Sequence, residues 1–110
     1  MNMSLESDVY KKMIKEMEDQ NSQLAEEYEA LDKELNENVI KLNAIEKLEF
    51  FTRNLNLEEG FYKKHFKLEE LTKKVEDLKQ QKNEFLQVYR QKSQLNLLAI
   101  DALKETLDNE

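Results

Sequence analysis

The chain contains no cysteine, no proline and no tryptophan, and a single glycine, Gly60, among 110 residues. Without cysteine there is no disulfide framework, no zinc-thiolate site and no thiol nucleophile. Glycine and proline together normally make up about 12% of a globular chain, where sheets, barrels and compact multi-loop enzymes use them to turn. One such residue near the middle leaves room for about one reversal of direction. Long apolar runs are missing too, because no window approaches the roughly 18 apolar residues of a membrane span. The start, Met1 to Asp8, has neither the basic region nor the apolar region of a signal peptide. The expectation is an intracellular, cytoplasmic chain that does not use a membrane. Asn2-Met-Ser4 fits a glycosylation pattern, which has no consequence in a chain of that kind.

What is present in quantity is charge. The sequence carries 24 acidic and 17 basic side chains for a net charge of −7, with 37% charged and 39% hydrophobic residues. Its mean hydropathy of −0.86 lies near the region where chains fail to collapse. Periodicity argues against disorder. From Tyr10 the apolar residues Tyr10, Ile14, Met17, Leu24, Tyr28, Leu31, Leu35, Leu42 and Ile45 recur at alternating steps of four and three, filling nine of thirteen seam positions between 10 and 52. The four misses are Asn21, Asn38, Glu49 and Thr52. After Ile45 the phase slips to Leu48, Phe51 and Leu55, as a coiled-coil seam does when it ends or changes partner. A second stripe, Leu68, Leu71, Val75, Leu78, Phe85, Tyr89, Ala99 and Leu103, fills eight of twelve positions and misses at Lys82, Lys92, Asn96 and Thr106. Neither stripe alternates with period two, so strands are not expected.

These patterns predict an all-α fold: a long antiparallel helical hairpin or coiled coil, assembling into a helical bundle as one unit over 1–110. The first helix covers about 8–53, the reversal about 54–60 and the second helix about 57–107. Asn56 followed by Glu59 resembles a capping box that starts the second helix, with Arg53 suited to the C-terminal dipole of the first. Gly60 as a left-handed stop, with the second helix starting at Phe61, is the alternative. Charge favours antiparallel pairing. Residues 26–37 hold a local net charge of −5 and residues 63–92 one of +4. Folding near residue 56 sets Glu34 and Glu37 opposite Lys74 to Lys79, and Glu46 and Glu49 opposite Lys63 to Lys67. Each exposed pair contributes only about 0.3–0.5 kcal/mol, but several together select register and orientation. An antiparallel dimer would satisfy the same pairing.

Two apolar concentrations exceed what a two-helix seam can bury. Leu95, Leu97, Leu98, Ile100, Leu103 and Leu107 cover more than one face of the second helix. Either an N-terminal turn (Met3, Leu5, Val9, Met13) folds over them or they form a site for self-association or for another helical chain. The second concentration lies at the reversal, where five of the nine aromatics fall within 50–66. It is either a plug that locks the tip or a set of partner anchors at Phe50, Phe61 and Tyr62. Asn21 and Asn38 interrupt the first seam in the way that sets register or oligomer state.

Chemistry is absent from the pattern. No glycine-rich loop could cradle a phosphate, no second histidine joins His65 as a metal ligand, and two helices without a cleft do not shield a carboxylate pair from water. No catalytic, cofactor-binding or metal residues are therefore expected, and no small-molecule substrate. Nucleic acid is not an expected partner of an acidic chain whose lysines are interleaved with acids. The leading expectation is a non-enzymatic structural or adaptor subunit assembling with itself or other helical chains. A second reading follows from a resemblance: a first helix ending at Thr52-Arg53, a short break, and a second helix ending in Gln94-Leu-Asn96-Leu-Leu98 resemble the flagellar and type III secretion export chaperones. That resemblance implies a small acidic helical chaperone whose amphipathic C-terminal helix binds an exported client. Prefoldin-type chaperones share the length and the helical arms but need strand hairpins, for which residues 46–66 offer no alternation.

Overall fold

A computed structural model of the chain describes residues 2–54 and 67–109. Two α-helices account for almost all of them: α1, Asn2–Asn54, and α2, Leu68–Asp108, and there is no strand among the described residues. The all-α expectation holds. Helix α1 needs no special start signal to persist for 53 residues, because its interior has neither glycine nor proline and is rich in Glu, Lys, Leu and Gln. Helix α2 has a defined entry. Lys67 has a φ of 50°, in the left-handed region, so a right-handed helix cannot pass through it. Helical hydrogen bonding starts there, with the Leu71 amide donating to the Lys67 carbonyl at 3.0 Å. Glu69 and Glu70 then lie in the first turn, where carboxylates favour the positive end of the helix dipole. The expected starts at Asn56 or Phe61 fall outside the described residues, and the helix described begins at Leu68, directly after the left-handed Lys67.

The chain divides into two compact units. One, Ala30–Glu84, is built on a core of Leu35, Val75 and Leu78, against which Leu31, Val39 and Leu42 pack. Its helix stretches run antiparallel: Glu34 pairs with Lys74 at 3.9 Å, and the Lys82 ammonium donates to Asp32 at 2.6 Å. The expected Glu34–Lys74 facing is thus present. The expected partners Lys63 and Lys64 lie outside the described residues.

The other unit combines Met1–Glu29 with Phe85–Glu110. It too is an antiparallel helix pair, with Lys104 near Glu18 at 3.8 Å and the Tyr28 and Tyr89 rings edge to face at 5.8 Å between centroids. Phe85 extends that aromatic cluster, 6.3 Å from Tyr89. Ile14 and Ile100 are its buried aliphatics.

Helix α1 follows its expected stripe in full. Ile14, Leu35 and Ile45 are buried, and Tyr10, Met17, Leu24, Tyr28, Leu31 and Leu42 are half-buried. Leu48, expected to carry the slipped phase, is exposed instead. Helix α2 departs from expectation after Tyr89. Asn96, Ala99 and Leu103 of the expected stripe are half-buried, but Lys92 and Thr106, which it also places in the seam, are exposed, while Ser93, Ile100 and Leu107 are buried or half-buried. The seam can be followed through 82, 85, 89 and 93, three successive steps that span eleven residues, and then through 96, 100, 103 and 107, with Leu86 and Ala99 half-buried beside it. An eleven-residue step of this kind locally relaxes the left-handed supercoil that strict heptads impose.

Candidate interaction surface

Polar residues sit in the seam and meet each other there. Asn21 and Asn96 were each gaps in an apolar stripe, and both are half-buried. The Asn96 amide donates to the Asn21 carbonyl oxygen at 2.9 Å and to the Gln20 side chain at 3.3 Å. The Asn21 amide donates onward to the Ser93 main-chain carbonyl at 3.5 Å. The small Ser93 side chain leaves room for that approach. Lys82, another gap, answers Asp32 in the same manner in the other unit. An unpaired amide in a seam costs roughly 1–3 kcal/mol, so these pairs exclude registers in which the asparagines face leucine. Asn38, expected to act likewise, does not: its amide donates to the Glu34 carbonyl one turn back in its own helix, at 2.7 Å. No buried side-chain nitrogen or oxygen lacks a hydrogen-bond partner among the described residues.

The phase change in α2 redistributes the C-terminal leucines. Ile100 was expected on the surplus face and is instead core, 3% exposed. Leu103 and Leu107 are half-buried and belong to the same seam. The physical reason is that the seam steps four residues from Tyr89 to Ser93 instead of three to Lys92, and then takes in Ile100 and Leu107 beside Asn96, Ala99 and Leu103. What remains outside is Leu95, Leu97 and Leu98, at 66%, 53% and 61% exposure. Leu5, Val9 and Met13, expected to fold over them, are themselves exposed on the continuous helix α1, and the Met3 side chain lies outside the described residues.

Val88 is also exposed, and the sequence reading missed it. At about 100° per residue, Val88, Gln91, Leu95, Leu98 and Ala102 fall within an arc of about 80° facing away from the seam. This stripe has no charged residue between Glu84 and Glu105 and runs for about 21 Å at about 1.5 Å per residue. Leu97 lies on the opposite side of α2, beside the seam. The signal for Val88 was available, seven residues before Leu95 and ten before Leu98.

Of the aromatic anchors, Phe50 is exposed and lines a shallow, open depression with Asn43, Glu46 and Lys47. Phe61 and Tyr62 lie outside the described residues. A second shallow depression, at Leu68, Glu69, Thr72, Lys73 and Glu76, is equally open. No group of three or more His, Asp or Glu residues that could hold a metal ion occurs among the described residues. No helix there is long and apolar enough to cross a membrane. The chain is thus an all-α protein of paired antiparallel helices with an uncovered aliphatic stripe. Comparison with protein-family models, with curated proteins and with solved structures finds no match for it.

Proposed function

We propose that the chain is a non-enzymatic protein-interaction module, a structural or adaptor subunit that joins other helical chains through the exposed leucines of α2. The observation that carries this reading is the exposure of Leu95 and Leu98 on a helix whose remaining large apolar residues from Phe85 onward, Val88 and Leu97 apart, turn into the seam. Aliphatic side chains at i and i+3 on an outer helix face form the kind of ridge that a partner helix packs against. Full burial of a leucine contributes on the order of 1.5–3 kcal/mol before the costs of association, so two or three leucines supply a real but modest driving force. That suits reversible or multi-point assembly.

Placing a photo-crosslinking amino acid at position 98 of the full chain, in the cells that make it, tests the reading. Adducts with a helical segment of another protein or of a second copy are expected at 98 and not at the charged, exposed position 79. Equal labelling from both positions would remove the reading, and adducts confined to unfolded clients would favour a chaperone.

A further inference from the structure

The two compact units are not held together alike. Of the seven apolar residues buried among the described ones, five belong to Ala30–Glu84, and Leu35, Val75 and Leu78 of these form one cluster. Met1–Glu29 with Phe85–Glu110 has two, Ile14 and Ile100. From those isoleucines to the Tyr28 and Tyr89 rings, Met17 and Leu24 are the large apolar seam residues, against Asn21, Ala25, Ser93, Asn96 and Ala99. The asparagines are held by neutral hydrogen bonds of 2.9 to 3.5 Å, which exchange for water at modest net cost. Lys104 and Glu18, both more than half exposed, stand 3.8 Å apart, whereas Lys82 in the other unit is a quarter exposed and reaches Asp32 at 2.6 Å. A seam with little buried apolar area and solvated polar contacts opens locally before the rest of a chain unfolds.

We infer that Met1–Glu29 is a releasable strap over the C-terminal part of α2: this unit opens as a whole while Ala30–Glu84 stays closed. The strap covers half of an unusual helix. Ile100, Leu103 and Leu107 face it, and Leu95, Leu97 and Leu98 lie outside. At about 100° per residue these six side chains surround α2 with no gap wider than about 100°. A helix apolar on all sides needs cover on all sides, and α1 supplies it on one. The closed form therefore offers a partner an outer stripe, whereas the open form offers a segment that a groove or a pair of helices encloses. The opening rests on burial alone; its use in assembly rests on the function proposed above.

Native-state hydrogen exchange of the full chain in low, increasing urea, read amide by amide by nuclear magnetic resonance, tests the strap. Amides of residues 17–28 and 89–103 should converge on one opening reaction. It should be at least about tenfold more populated than the opening of residues 35–45 and 71–78, with a smaller urea dependence because less surface is exposed. Leu42→Ala, which trims a half-buried residue against the other core, should lower protection in the second set several-fold and leave the first unchanged. Ile100→Ala should lower both sets, because complete unfolding includes release of the strap. One opening reaction shared by both sets, or Leu42→Ala lowering both equally, would mean a single cooperative structure and would overturn the inference. Protection that rises residue by residue from the helix ends, without convergence, would be fraying and would overturn it as well. Exchange of the chain alone reads opening, and crosslinking at position 98 reads partner contact, so failure of either leaves the other standing.

Discussion

Replacing Ile100 with alanine should destabilise the chain strongly, and replacing Leu98, two residues away, should not. The contrast follows from exposures of 3% and 61% on one helix. Truncating a buried isoleucine to alanine costs about 2–5 kcal/mol, through lost transfer energy and the cavity left behind. A seam between two helices has solvent at both edges and can partly collapse, which favours the low end. Alanine also returns a few tenths of a kcal/mol in helix propensity. The expected net loss is about 2–3 kcal/mol, a fall in melting temperature of roughly 8–12 °C at about 4 °C per kcal/mol for a chain of this size. Leu98→Ala should stay within about 0.5 kcal/mol of the parent. Urea and thermal unfolding followed by far-ultraviolet circular dichroism would measure both. If Leu98→Ala proved the costly change and Ile100→Ala the silent one, the phase change at Tyr89–Ser93 would be wrong, and with it the assignment of the exposed stripe.

Asn21→Ala alone should cost about 1 kcal/mol because it removes the shorter of the two bonds that the Asn96 amide donates and leaves it Gln20 alone, whereas Asn21→Leu with Asn96→Leu should recover or exceed parental stability at the expense of a unique register. A double-mutant cycle with melting as readout would measure the first, and cysteine cross-linking across the seam the second. Leu35→Ala, in the core with Val75 and Leu78, should cost about 2–4 kcal/mol; a negligible shift of the urea midpoint would contradict that packing. Asp32→Asn breaks the ion pair with Lys82, which is partly open to water, so the loss should be about 0.5–1 kcal/mol and should shrink when salt is raised from about 0.1 M to about 1 M.

How far the sequence could be read depended on how many phases it offered. In α1 every residue of the expected stripe is buried or half-buried, because Asn21 and Asn38 interrupt the heptad without offering a second apolar frame. In α2 the stripe was legible as far as Tyr89. Beyond it, two frames share Asn96 and Leu103 and differ by one residue at the alternate positions, with Lys92, Ala99 and Thr106 in one and Ser93, Ile100 and Leu107 in the other. Periodicity cannot choose between them. The choice is made across the pair of helices, where Asn96 and the Ser93 carbonyl meet Asn21. Two local signs pointed the same way: Lys92 would have been a charge in the seam, and Ile100 is a larger apolar group than Ala99. The polar gaps were read one helix at a time, so Asn21 with Asn96 and Asp32 with Lys82 were not recognised as partners. The left-handed Lys67 had no sequence signal, since glycine or asparagine is the usual occupant of such a position.

Because the chain has no cysteine of its own, thiol reactivity can map the face of α2 directly. Single substitutions Leu95→Cys, Leu98→Cys, Ile100→Cys and Leu103→Cys would each be made in the full chain and labelled with a thiol-reactive dye. The account predicts rapid labelling at 95 and 98, strong protection at 100 and intermediate protection at 103. Position 100 labelling as fast as position 98 would contradict it.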